Sequence, residues 1–200
     1  RGIKVLVTSG GTTEPIDDVR VITNRSTGKT AATIAQNLIE SGIEVTYLHS
    51  PQAVLPAFQS TNKVYSSFSD LDNLLKAELT ATQYDFVIHA AAVSDYSVEK
   101  SNGKINSDAE ELTLKLKKNP KLINGIKKVS PNSKLIGFKL TSQADESTIL
   151  KKVTSLFENA HCDYVVQNDW QNISAGHAEY RFYSKNNLTE YKTIDSLEAL

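Results

Sequence analysis

The 200 residues include one cysteine, one tryptophan and no methionine. A lone Cys162 excludes an internal disulfide and any cysteine-rich metal site. With no histidine-bearing motif beside it, it reads as inert packing rather than as a nucleophile. The missing methionine reads as a natural start that was trimmed or replaced. The end of the chain, Asp195–Leu200, reads as the opening turn of a helix that continues further. Excess charge is missing too. The 22 basic and 23 acidic residues leave a net −1, which argues against a bulk nucleic-acid binder. No apolar run approaches the ~18 residues of a membrane span, and the N-terminus is not a secretory signal, so a cytoplasmic protein is expected. No repeat, low-complexity tract or linker interrupts the chain, and residues 1–200 read as one domain large enough to bury a core.

What is present is a regular alternation of elements. Ile3–Ser9 is apolar and β-branched and predicts a buried strand. Residues 29–41 predict a helix, with Ala31, Ala35, Leu38 and Ile39 on one face and Gly42 as the stop. Strands are expected at Ile43–His49 and Lys63–Phe68. A helix capped by Ser69 or Asp70 carries Leu71, Leu74, Leu75 and Leu79. Tyr84–Ala91 is a near-continuous apolar run, as a central parallel strand requires. Residues 92–111 are polar and read as a long loop. Beyond them the pattern predicts a strand at Leu112–Leu116, a short helix from Asn119-Pro120, a strand at Lys134–Leu140, a helix over 146–160 and a strand from Asp163 to Val166. Glu179–Ser184 and Thr189–Thr193 predict a hairpin. The pattern is that of a Rossmann-like, doubly wound α/β domain with a mostly parallel sheet and a C-terminal β-hairpin.

The stretch from Gly10 to Lys29, GGTTEPIDDVRVITNRSTGK, leaves the first strand and opens the first helix. Such connections usually run 2–6 residues, so a longer one is expected to do chemistry. Backbone N–H groups of a Gly/Ser/Thr-rich loop and a helix N-terminus favour phosphate, which nominates Gly10, Gly11, Ser26 and Gly28. The dinucleotide fingerprint G-x-G-x-x-G is absent, and Leu48-His49-Ser50 supplies no acidic residue for a ribose. Gly28-Lys29-Thr30 matches the end of a P-loop, but Thr23 stands where its first glycine belongs. Tyr96 and Lys100 form Y-x-x-x-K, the catalytic pattern of short-chain dehydrogenases, here beside an Asn102-Gly103 loop rather than on a helix. His49, His89, His161 and His177 lack metal-ligand spacing, and no metal site made of protein side chains is expected.

Three polar clusters each follow a predicted strand: Asn24 to Lys29, Ser94 to Lys104, and Asn168-Asp169. A parallel sheet brings them to one edge. Lys104, Lys118, Lys121, Lys139, Lys151 and Lys152 can give that edge positive potential. Amides, hydroxyls and lysines without an obvious general base suit polyphosphate handling by positioning and charge neutralisation.

These residues, in this order, resemble phosphopantothenoylcysteine synthetases of the bacterial type. The likeness rests on GGTTEPIDDVRVITNRSTGK, then HAAAVSDY from His89, then Lys118-Asn119-Pro120, Gly137-Phe138 and VVQND from Val165. It implies a ligase of coenzyme A biosynthesis. Such an enzyme activates the 4′-phosphopantothenate carboxylate with CTP as an acyl-cytidylate, couples it to cysteine, and releases CMP and pyrophosphate. It implies Mg²⁺, a homodimer and a free-standing synthetase without the fused flavin-dependent decarboxylase of many relatives. By the same resemblance Asn24 contacts the acyl-cytidylate, and Lys104 lies in a mobile flap over the triphosphate. Asp95, with His89, Ala90 and Ala91, belongs to the nucleotide site, as do Lys118, Asn119, Pro120, Lys121, Phe138 and Lys152. Arg20 holds the substrate phosphate or a dimer contact. The chain departs from the family pattern twice: the flap keeps only Lys104 of its lysines, and the helix position four residues past Lys152 is Leu156. Both departures bear on nucleotide choice, CTP or ATP. A short-chain-type NAD(P)-dependent oxidoreductase and a non-catalytic nucleotide-binding module remain the alternatives.

Overall fold

The computed structural model describes residues 2–174, 176, 179–197 and 199–200; His177 lies outside the described residues. Its centre is an eight-stranded sheet in the order β12-β11-β10-β9-β6-β1-β4-β5. The strands are β1 (Lys4–Ser9), β4 (Glu44–His49), β5 (Thr61–Val64), β6 (Phe86–His89), β9 (Lys134–Thr141), β10 (Tyr164–Asp169), β11 (Tyr180–Ser184) and β12 (Asn187–Ile194). The pairings from β5 through β10 are all parallel, and in this sheet the β10–β11 and β11–β12 pairings are antiparallel. The expected doubly wound sheet with a C-terminal hairpin is what the chain forms.

Alternation along β1 sends its side chains to two cores. Val5 and Val7 face helix α1 (Lys29–Glu40) with Tyr47 and Ile88. Leu6 faces the other layer with Leu71 and Leu75 of α2 (Phe68–Ala81), Ile123 and Ile126 of α3 (Ile123–Val129), and Ile149 and Val153 of α4 (Glu146–Asn159). Small side chains let α1 seat closely: Ala31, Ala32 and Ala35 are all buried. Gly42 ends that region in the left-handed conformation, φ 81°.

Several boundaries differ from the sequence expectation, and the causes are local. α2 starts earlier than Ser69, because Ser67 and Asp70 close a reciprocal capping box around the helix start. β5 accordingly ends at Val64. α3 starts at Ile123 rather than at Asn119, whose side chain donates to the Ser94 carbonyl at 3.1 Å and accepts from Ser97 at 2.9 Å. No strand forms over 112–115, where one was expected; β8 (Leu116–Lys118) begins at the last residue of that stretch and pairs with β7 (Tyr96–Val98) inside the expected loop. The long Gly10–Lys29 connection contains a hairpin of β2 (Thr13–Pro15) and β3 (Val21–Thr23). A short helix, α5 (Trp170–Ser174), follows β10.

Candidate functional site

Strand order reverses between β1 and β6. From β1 the chain moves outward to β4 and β5, then returns to place β6 on the other side. Ligands of open α/β sheets sit at the carboxyl ends of the strands at such a point. Here those ends are polar even where buried: Thr8, Ser9, His49, Ser50, His89, Thr141 and Gln167 all lie below a tenth exposure.

The loops leaving β1 and β6 are fastened to each other. Ala92 donates to the Gly10 carbonyl at 3.0 Å and Thr12 donates to the Ala92 carbonyl at 3.1 Å. The Ala92 carbonyl also accepts from Asn24 Nδ2 at 2.9 Å. That contact fixes which end of the Asn24 amide faces the loop: one N–H is held by Ala92, leaving the second N–H and Oδ1 for other partners. Ala91 donates to Thr8 Oγ1 at 3.1 Å, and the same hydroxyl pairs with His89 Nδ1 at 2.9 Å. Burial pushes the His89 imidazole down to about 4, so it is neutral near pH 7. Gly10, Gly11, Asn24, His89, Ala90 and Ala91 are therefore gathered at the switch point.

Two of the glycines have packing reasons as well. Gly10 and Gly28 adopt φ 92° and 74°. A Cβ at Gly10 would stand 2.1 Å from Ser50 Oγ and 2.9 Å from Ala53 Cβ; one at Gly28 would stand 2.5 Å from Ser9 Oγ and 3.0 Å from Ala53 Cβ. Both ends of the long connection thus rest on Ala53. Gly28 opens α1 without a side-chain cap, which leaves helix-start N–H groups for an anion. Ser26 is exposed just before it.

A second group lies at the carboxyl end of β9. Asp95 pairs with Lys121, and Asn119 donates its backbone N–H to the Asp95 carbonyl at 2.8 Å. Lys118 ends β8 opposite Tyr96, and Pro120 is exposed beside it. Gly137 faces Ile123 and Leu156, so Lys139, two residues on along β9, shares that side of the sheet. Lys152 lies one helical turn before Leu156, toward the same edge. Burial lowers the Lys139 ammonium pKa, the charges of Lys121 and Lys152 lower it further, and Asp95 opposes them. Phe138, on the opposite side, packs against the α1 core.

Arg20 and Lys104 form a third group. The Arg20 guanidinium donates to Asp17 and to the Ile105 carbonyl, next to Lys104. Tyr96 lies in β7, and Lys100 is paired with Asp18 at 2.9 Å. The Y-x-x-x-K pattern is therefore on no helix, and its lysine is engaged elsewhere. Among the described residues no three His, Cys, Asp or Glu side chains come together to hold a metal ion. Thr8, Thr12 and Asp17 escaped the sequence reading. Thr8 lies inside the apolar run of β1, Thr12 in the loop after it and Asp17 in the Asp17-Asp18 pair of the long connection, and none of them carries a motif of its own.

The fold and this edge define a Rossmann-like α/β protein whose strand-end loops carry amides and lysines. Over residues 1–193 the chain matches the DNA/pantothenate metabolism flavoprotein C-terminal domain, and it belongs to that family. It is 33% identical over 168 residues to the coenzyme A biosynthesis bifunctional protein CoaBC of Methanocaldococcus jannaschii, covering 84% of this chain and 41% of that protein. It is 36% identical over 168 residues to the CoaBC protein of Thermococcus kodakarensis, with the same coverage, 84% and 41%. The chain thus spans about two fifths of the length of these curated relatives. A solved structure of the DNA/pantothenate metabolism flavoprotein from Streptococcus pneumoniae superposes with a TM-score of 0.88 at 31% identity, covering 99% of this chain and 94% of that one.

Proposed function

We propose that this chain is a phosphopantothenate–cysteine ligase domain spanning residues 1–200, using CTP in the cytoplasm as a homodimer. The observation that carries the reading is the fastening of the β1 and β6 loops at the switch point, with the Asn24 amide anchored on Ala92 at 2.9 Å and still able to donate outward. Membership of a family whose curated relatives are named for coenzyme A biosynthesis supports it. So does the lysine-rich edge beside Asp95.

A carboxylate resists attack because its leaving group would be oxide. Transfer to the nucleotide α-phosphate makes CMP the leaving group instead. Negative charge develops on pyrophosphate, and fixed cations stabilise it without reorganising. Lys104, Lys121 and Lys152 take that role, with Gly10, Gly11, Ser26, Gly28, His89, Ala90, Ala91, Asp95, Lys118, Asn119, Pro120 and Phe138 enclosing the nucleotide. Asn24 donates its second N–H to the acyl or phosphoryl oxygen. The cysteine amine then attacks the acyl carbon, the C–O bond to CMP breaks, and the amine proton passes to water. Asp95 is already paired to Lys121, and among the described residues no group of His, Cys, Asp or Glu side chains forms a metal cage. Mg²⁺ would be held by the nucleotide phosphates, as part of the substrate. Arg20, which also holds the Lys104 loop through the Ile105 carbonyl, is assigned to the substrate phosphate or to the dimer contact. Val19 and Val21, 63% and 52% exposed on the hairpin, offer an apolar surface for a second copy.

The test supplies phosphopantothenate, cysteine and either CTP or ATP. CTP should give CMP and pyrophosphate with the higher kcat/KM. Omitting cysteine should limit pyrophosphate to about one equivalent per site, since the acyl-cytidylate stays bound where its charge is stabilised. CDP with orthophosphate would point to an acyl-phosphate route, and an ATP preference would overturn the nucleotide assignment.

A further inference from the structure

The loop that carries Lys104 has no regular secondary structure, yet its backbone is tied down on both sides of that residue. Gly103 accepts from the Asp18 N–H at 3.0 Å, and Ser101 donates to the Ile16 carbonyl at 2.9 Å. Ile105 donates its N–H to Asp17 Oδ2 at 2.9 Å and accepts from Arg20 Nη2 at 2.6 Å. All the partners lie in the turn between β2 and β3.

Asp17 is the centre of this arrangement, with its side chain fully buried. Its two oxygens do different jobs. Oδ1 accepts from the N–H groups of Val19 and Arg20 at 2.9 and 2.8 Å and so shapes the local turn. Oδ2 accepts from Arg20 Nε at 3.0 Å, Arg20 Nη2 at 2.7 Å and Ile105 N. The second set reaches a segment 88 residues away. A turn alone needs only Oδ1. The Arg20 guanidinium and then the Ile105 N–H hold the Asp17 carboxyl far below the usual carboxylate range, so the clamp keeps its charge throughout neutral pH.

The same hairpin carries Asn24 immediately after β3. We propose that Asp17 is a positioning residue for Lys104, fastening the Lys104 loop through Arg20 and the Ile105 backbone to the hairpin that presents Asn24, so that both groups are set as one unit. The proposal rests on the ligase reading for what Lys104 does, but the fastening itself is independent of that reading.

The division of labour between the two oxygens supplies the variant. Asp17→Asn retains an acceptor for the turn and turns an amide NH₂ toward Arg20 and Ile105, which are donors. Four measurements on the purified protein decide the matter. Melting should fall by only a few degrees, leaving the protein folded at the assay temperature. Hydrogen exchange at the Ile105 amide should speed up by about tenfold or more, while Val19 and Arg20 remain protected. The ligase kcat should fall by roughly tenfold to a hundredfold, because a misplacement of about 1 Å is enough for that. In a Lys104→Ala background the same substitution should cost less than about threefold, because groups acting through one another are not additive. Unchanged exchange at Ile105 overturns the clamp. An undiminished kcat with a loosened loop, or a full multiplicative loss in the Lys104→Ala background, overturns the positioning role. Should Asp17→Asn melt early, Arg20→Lys keeps the charge and cuts the bond to the Ile105 carbonyl; it must give the same non-additive cycle with Lys104→Ala, and additivity overturns the proposal. Absence of turnover by the wild type overturns the ligase reading and with it the role of Lys104, whereas the exchange measurement judges the clamp alone.

Discussion

Two clusters at opposite edges of the sheet are built from the same four charges. At the amino edge of β10, Asp163 meets Lys127 at 2.8 Å, Lys185 at 2.8 Å and Lys134 at 3.9 Å. At the carboxyl edge of β9, Lys139 lies among Lys121, Lys152 and Asp95. Each is three lysines and one aspartate, and composition cannot tell them apart. Placement does. In the first cluster the acid is central and 4% exposed, with cations around it. Burial opposes its ionisation, but hydrogen bonds from Lys127 and Lys185 outweigh that and hold the carboxyl down at about 2. In the second the central group is a half-buried cation, and the acid stands at the rim, 58% exposed. One arrangement is a closed staple joining α3, β9, β10 and the C-terminal hairpin. The other leaves surplus positive charge facing the loops, the condition for receiving an anion.

The sharpest way to break this contrast is to remove the acid from the staple. Asp163→Ala strips the Leu135 N–H of its 2.8 Å acceptor and leaves three lysines together, and should cost about 3–5 kcal/mol of stability in chemical denaturation. Affinity for inorganic pyrophosphate should be unchanged in the folded fraction. A mild loss would make the staple ornamental.

At the other edge, Asn24→Asp should lower ligation at least about a hundredfold, by analogy with losing one oxyanion donor. The substitution also sets a carboxylate oxygen against the Ala92 carbonyl that now accepts from Nδ2. Because the side chain is exposed, that local conflict should change stability by no more than about 1 kcal/mol. Rate and stability must therefore separate; a folded variant with near-wild-type ligation would reduce Asn24 to a fastener of loops.

His89 tests the buried side of the same edge. Its folded value near 4 lies below its unfolded 6.5, so the unfolded chain binds the extra proton first and stability falls as pH drops below about 6.5. Between pH 6.5 and 5 the wild type should lose on the order of 2 kcal/mol relative to His89→Gln. Parallel pH profiles of the two proteins would contradict a buried neutral imidazole.

The smallest effect expected is at Lys139. Lys139→Gln should weaken pyrophosphate binding at low salt by about tenfold while leaving melting unchanged or raised, since it relieves like-charge repulsion. For the wild type the affinity should start to fall at a lower alkaline pH than an ordinary lysine would impose, because burial and the neighbouring lysines lower the Lys139 pKa. No change on calorimetry would remove Lys139 from the anion site and blur the contrast between the edges.

Legibility in the sequence followed the strength of the local signal. The central strands were readable because β1, β4 and β10 are apolar on both faces, and α4 because Ile149, Val153 and Phe157 repeat at helical spacing. The hairpin of β2 and β3 was not, since strands of three residues carry no periodicity and pair only with each other. Nor was β7 with β8, for the same reason. At the site, Asn24 stood out by its place in a long loop and by family resemblance. Asp17 did not, because its value lies in reaching Ile105 across 88 positions, which no local pattern encodes. Lys139 was visible as a charge, but its burial and its neighbours belong to tertiary packing.

The shared seat of Gly10 and Gly28 on Ala53 has a consequence for how this protein can change. An excursion whose ends are pinned to the same methyl group is already closed, so its contour length matters little to the sheet beneath. Doubling such a loop costs roughly 0.6 kcal/mol of closure entropy. The segment between them can therefore change length at little cost to the sheet, with Val5, Leu6 and Val7 packed below it, provided its own fastenings are kept: Thr12 to Ser94, Asp17 to Ile105 and Asn24 to Ala92.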